Sequence, residues 1–150
     1  MDERPTSDPE TILDQYKSYM VDVGNIGTRY TTSNGFYLSV ITALLGILAL
    51  TKTGEIFEGS RLYLGLAVCT FAVLVCVGWQ RTIRYYAKLF AIKFEVLREM
   101  ERTGNLFPIF AREDEKRKGE SLLKKDRWIP ILLSVPFLVT LVFLLTKLPK

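Results

Sequence analysis

Apolar and polar positions along the chain are sorted into long blocks. Twenty-two residues without a charge separate Arg29 from Lys52, nineteen separate Arg61 from Arg81, and nineteen separate Arg127 from Lys147. A helix crossing the hydrocarbon of a bilayer needs about 20 mostly apolar residues. Each block therefore predicts a transmembrane helix: span one over 35–51, span two over 62–80 and span three over 128–146. The third is the most apolar, whereas the first block opens on the polar Thr31, Thr32, Ser33 and Asn34. A soluble bundle is disfavoured, because three such runs in 150 residues leave too little protein to cover them, and exposed apolar area on that scale aggregates in water.

The flanking segments read as helix too. Residues 1–8 are polar and expected to be loose. Asp8, Pro9 and Glu10 form a helix-start pattern of N-cap, first-turn proline and dipole-favoured acid. An amphipathic helix is predicted over 9–32, with Leu13, Tyr16, Met20, Val23 and Tyr30 on one face and Asp14, Lys17, Asp22, Asn25 and Arg29 on the other. Its charges suit anionic lipid poorly, which favours packing against protein. The turn-rich connector 52–61 is short, so spans one and two form an antiparallel hairpin. Small residues in both (Gly35, Ser39, Ala43 and Gly46; Gly65, Ala67, Cys69 and Ala72) suit close helix packing in lipid, and the hairpin is expected to close through them.

Past span two the helical pattern continues over 81–103 without proline or internal glycine. Ile83, Tyr86, Phe90, Phe94 and Leu97 hold one face, and Arg84, Lys88, Ala91, Glu95, Arg98 and Arg102 the other. Span two and this extension form one helix of about forty residues, roughly 60 Å long, ended by Gly104 as a C-cap. The N-terminal helix is its natural partner, and apolar face left over after that pairing predicts oligomerisation. Residues 104–127 are charge-dense and read as a solvated segment. Trp128 and Pro130 mark the start of span three, and Pro136 inside it is expected to bend it.

Charge sets the orientation. The segments 1–34 and 81–127 carry three and thirteen Lys or Arg, against two in the connector and two in the tail. The positive-inside rule then places the N-terminus and 81–127 in the cytoplasm and the C-terminus outside. The acidic start (Asp2, Glu3) and the late first apolar run do not fit a secretory signal. The fold class is thus an all-α integral membrane protein: three transmembrane helices, an N-terminal amphipathic helix and a long cytoplasmic extension of span two, as a single membrane domain over 1–150.

Candidate chemistry is sparse. The chain has no His, which removes the commonest general base and metal ligand. Cys69 and Cys76 sit about 10 Å apart along one helix, too far for a disulfide, and read as small packing residues. Phosphate-cradling glycine loops and nucleophile elbows are missing. No Asp, Glu, Lys or Arg falls inside a predicted span, which argues against a coupled transporter and leaves a passive pore lined by Ser, Thr or backbone. The thirteen bases of 81–127 offer a surface for anionic lipid or a nucleotide-like ligand, but Glu95, Glu99, Glu101 and Glu113 dilute it for nucleic acid. A plain cytoplasmic face is the simpler reading.

Three stretches in order carry a family resemblance. Arg29 through Thr32 into the aromatic Phe36 and Tyr37 is a basic, Thr-rich approach to span one. Trp79, Ile83, Tyr85, Tyr86, Leu89, Lys93, Phe94, Met100 and Glu101 follow span two, and Asp126, Ile129 and Pro130 lead into span three. Over about 12–147 this resembles the RipA family of small bacterial inner-membrane proteins. The resemblance implies a homo-octamer without enzymatic activity. Tyr85-Tyr86 stands where that family's pattern has Tyr-Arg, which puts any role of that base in doubt.

The function expected is a non-enzymatic, homo-oligomeric inner-membrane protein serving as a pore, channel or membrane scaffold. The alternatives are a signal-gated, membrane-permeabilising effector of bacterial defence and an accessory factor of another membrane complex. Arg29, Asn34, Gln80, Arg81, Arg84, Tyr85 and Lys93 are the candidate cytoplasmic-mouth or oligomer-contact residues. No catalytic, metal or cofactor site is expected. The partners expected are further copies of the chain and membrane lipid, without nucleic acid; an unidentified membrane or signalling partner belongs to the alternatives.

Overall fold

The computed structural model describes residues 9–53, 61–104, 106–110, 112 and 126–147. These residues form three helices, α1 (Pro9–Thr53), α2 (Arg61–Thr103) and α3 (Ile129–Leu145). α1 and α2 are long and apolar enough to cross a membrane, whereas α3 is a shorter apolar helix of 17 residues. Asp8, the connector and most of 104–127 lie outside the described residues.

The segments 9–32 and 35–51 are successive parts of one uninterrupted helix. The polar run between them does not interrupt it: Thr31 and Asn34 find partners without leaving helical geometry. The Thr28, Thr31 and Ser39 hydroxyls donate to the carbonyls of Gly24, Gly27 and Gly35, four residues back, and Asn34 is engaged by a neighbouring helix. α2 likewise carries 62–80 and 81–103 in one helix of 43 residues, as its unbroken periodicity predicts.

α1 and α2 run antiparallel along their whole length. Tyr16 meets Glu101, Asp22 meets Lys93, Tyr30 meets Tyr86 and Asn34 meets Trp79, so each step along α1 is matched by a step back along α2. The N-terminal part of α1 is therefore the partner of the α2 extension. Of its expected apolar face, Tyr16 and Tyr30 are buried, joined by Ile26, while Leu13 and Met20 are exposed. On α2, Ile83 and Leu97 are fully buried, and Arg84, Lys88, Glu95, Arg98 and Arg102 are exposed.

α3 returns antiparallel to α2. Leu133 packs near Trp79 and Ile83, and a Cβ on Gly65 would approach Leu144 Cδ1 to 2.9 Å. The main core joins Ile41 and Leu44 of α1, Val68, Cys69, Ala72 and Cys76 of α2 and Phe137 of α3. The small residues of α2 thus accept bulky side chains from both neighbours, and the two thiols are free and buried. α3 continues through Pro136.

The small residues of α1 behave otherwise. Gly35, Ser39, Ala43 and Gly46 are exposed and turned away from α2, so the hairpin does not close through them. It closes through Tyr30, Tyr37, Ile41 and Leu44 instead. Large side chains set into the small-residue face of α2 remove far more surface from solvent than two small faces would, and they gain proportionally more dispersion contact.

Candidate functional site

The best-defined constellation is a girdle of aromatic and polar side chains where α1, α2 and the approach to α3 meet. Its position follows from the pattern: Tyr30, Asn34 and Tyr37 share one face of α1, Trp79, Thr82 and Tyr86 share one face of α2, and Asp126 precedes α3. Trp79 is buried, and its indole N–H donates to Asn34 Oδ1 at 2.8 Å. Its ring stacks on Tyr37, with centroids 5.8 Å apart and planes 7° from parallel. The Thr82 hydroxyl donates to the Gly78 carbonyl, so the Tyr37 hydroxyl donates to Thr82 Oγ1 at 3.1 Å.

Tyr30 ties the third element in. Its hydroxyl donates to Asp126 Oδ2 at 2.7 Å, and its ring meets Tyr86 and Phe90 edge-on. Burial pushes the Tyr30 phenol up to about 12; the Asn34 contact works against this, and the Asp126 carboxylate adds to it. Tyr30 therefore stays a neutral donor at physiological pH.

A second polar contact closes the far tip of the hairpin. The buried Glu101 carboxylate accepts from the Tyr16 hydroxyl at 3.1 Å and from the Phe110 N–H at 3.0 Å. Burial, followed by the bond and charge of Glu101, pushes Tyr16 up to about 12. Between tip and girdle, Lys93 Nζ lies 2.6 Å from Asp22 Oδ2 and 4.3 Å from the centre of the Tyr19 ring. The bond to Asp22 is the first cause holding its ammonium above the usual lysine range. At Gly104, just past the end of α2, a Cβ would sit 2.8 Å from Ile12 Cγ2 and 2.9 Å from the Met100 carbonyl. The glycine permits close approach of α1, and its φ is not in the left-handed region.

The residues singled out from the sequence do not converge on one pocket. Asn34 belongs to the girdle and Lys93 to the ion pair. Arg29, Arg81 and Arg84 are exposed in a band at the level of the girdle, and Tyr85 is exposed, with its ring edge against Tyr86. Gln80 Oε1 is buried and has no hydrogen-bond partner among the described residues. Among the described residues, no three His, Cys, Asp or Glu come together as metal ligands. The roles of Tyr16, Tyr30 and Tyr37 as hydrogen-bond donors escaped sequence reasoning; aromatics with polar tips at the edge of an uncharged run were the available signal.

Two long apolar helices joined this way match a known family model, that of the octameric membrane protein family (8xMP), over residues 13–146. The chain belongs to that family. The match takes in the girdle, the tip contact and all three helices, so these are features of an octameric membrane protein family member rather than of a soluble helical bundle. No curated protein and no solved structure matches the chain significantly.

Proposed function

We propose that this chain is a non-enzymatic membrane protein that assembles with copies of itself into a ring and serves as a pore or membrane scaffold in the bacterial inner membrane. The observation that carries this reading is the continuous hairpin of α1 and α2 in a chain of an octameric family. At 1.5 Å per residue α2 is about 64 Å long, against roughly 30 Å of hydrocarbon. About half of each long helix therefore stands outside the bilayer, and eight copies would form a membrane ring with a tall collar. Span three is assigned to 128–146, with α3 as its core, and the basic 81–103 half of α2 to the cytoplasmic side. The band of Arg29, Arg81 and Arg84 would then ring the cytoplasmic mouth.

The test is ion flux through proteoliposomes containing the purified protein, with particle mass measured on the same sample. Flux from a discrete octamer establishes a pore. A tight, non-conducting octamer leaves the scaffold, and a monomer in lipid overturns the ring. Charge reversal at Arg81 and Arg84 is expected to alter conductance or ion preference; unchanged conductance and assembly would remove these residues from the mouth.

A further inference from the structure

The α2 extension carries a second apolar stripe that its own hairpin covers only in part, with Leu89 and Val96 half-buried and Tyr85 and Ile92 exposed. The stripe used against α1 includes Ile83, Tyr86, Phe90 and Leu97. Tyr85, Leu89, Ile92 and Val96 recur at spacings of four, three and four, which aligns them on a separate helical face. Tyr85 and Ile92 are 64% and 58% exposed. Lipid does not cover this stripe throughout: Ile92 lies about 18 Å beyond the end of span two, farther than the headgroup layer of roughly 5–8 Å reaches.

α1 offers a face of opposite shape. Gly24, Thr28, Thr31 and Gly35 line one exposed stripe turned away from α2, and a Cβ built on Gly24 or Gly35 meets nothing within 4 Å. The Thr28 and Thr31 hydroxyls are spent on carbonyls of their own helix, so this groove presents no unmet donor. Arg29 falls on another face, and an apolar ridge seated here would bury no charge.

The two faces also match in height. A closed ring of identical subunits joins two different faces of each, and rotation about an axis normal to the membrane keeps every atom at its level. The contact of Tyr30 with Tyr86 sets Thr31 level with Tyr85 and Gly24 level with Ile92, and the pair Asp22 with Lys93 agrees with this register to within one residue. We propose that neighbouring copies of this chain meet by seating the α2 ridge of Tyr85, Leu89 and Ile92 in the α1 groove of Gly24, Thr28 and Thr31. The occupant is a second copy because the family is octameric and the ridge runs from Tyr85, about 8 Å past span two, to Ile92, about 18 Å past it, outward from the headgroup layer. This interface rests on the ring reading above and gives it a contact.

The full chain carrying both Thr31→Cys and Tyr85→Cys is oxidised in native membranes, with each single variant and the Thr31→Cys/Glu95→Cys pair as controls. Cys69 and Cys76 are buried and do not compete. Thr31 and Tyr85 side chains leave different helices in different directions, so a disulfide within one copy is excluded. The expected result is a ladder of covalent oligomers rising to the full assembly from the Thr31/Tyr85 pair only, containing both of two differently tagged chains. An assembly of native mass without that ladder, or with the ladder from the Glu95 control, overturns the interface and leaves the ring standing. An unmodified protein that is monomeric in the same lipid overturns both.

Discussion

Replacing Tyr16 with Phe tests whether the tip contact holds the far end of the hairpin together. The substitution removes one hydroxyl and leaves the ring that packs there. Hydrogen bonds to charged acceptors contribute about 1.5–3 kcal/mol. The Tyr16 bond, at 3.1 Å, is longer than the roughly 2.5–2.7 Å of strong O–H···O⁻ pairs, which puts it at or below the bottom of that range, about 1–1.5 kcal/mol. Glu101 keeps the Phe110 N–H and a further interaction, so no buried charge is stranded. Local opening of the tip should become roughly five- to twelvefold easier, since about 1.4 kcal/mol is a factor of ten. Hydrogen exchange read by mass spectrometry in lipid nanodiscs resolves this: protection in 12–20 and 97–103 should fall by that factor, while 35–50 and 64–80 keep theirs. Glu101→Ala strands two donors and should cost about 3 kcal/mol over the same peptides. Unchanged protection in Tyr16→Phe would show that ring packing alone closes the tip; an equal loss in the spans would show that the tip has no separate stability.

Other outcomes follow from the same geometry. Tyr16 has its folded-state phenol raised to about 12 from 10.0, so its stabilisation is complete below pH 10 and is lost as pH rises through 12; Lys93, also raised, acts in the same direction. Exchange at the tip should accelerate in alkali before the spans respond, and Tyr16→Phe should blunt that dependence. Asn34→Leu leaves the buried Trp79 N–H unpaired, a loss of about 1–2 kcal/mol in a membrane-edge setting; a blue shift of Trp79 emission, measured with Trp128→Phe as background, is the readout. Gly104→Ala drives a Cβ into backbone and Ile12 and should cost about 1–3 kcal/mol at the tip. Gly65→Ala meets only the flexible end of Leu144, and should cost about 1 kcal/mol or less by thermal denaturation in detergent.

How much of this was legible in the sequence depends on the kind of signal. Uncharged runs and three- and four-residue periodicity located the helical segments, the continuity of α2 and the pairing of its extension with the start of α1, because burial of Ile83, Phe90 and Leu97 follows directly from their spacing. Continuity through Thr31, Thr32, Ser33 and Asn34 was not legible: polar side chains interrupt a hydropathy pattern, and only the structure shows the Thr31 hydroxyl bonded to helical backbone and the Asn34 amide to Trp79. The small-residue rule picked a real stripe on α1 and assigned it the wrong neighbour, since glycine spacing says that something approaches closely and not what. Glu101 looked like one charge on a solvated face, and its burial depends on Tyr16, 85 residues away in the chain.

The hairpin is held at three levels, by the three-helix core, the girdle and the Glu101 contact at its tip. Two parallel rods fastened at several points move as a single beam. A tilt of about 10° inside the membrane would carry the end of a beam standing roughly 30 Å proud sideways by about 5 Å, and helices answer changes in bilayer thickness by tilting. In the placement proposed above, lipid thickness and tension therefore have a mechanical path to the tip of the hairpin, with leverage set by the length of the overhang.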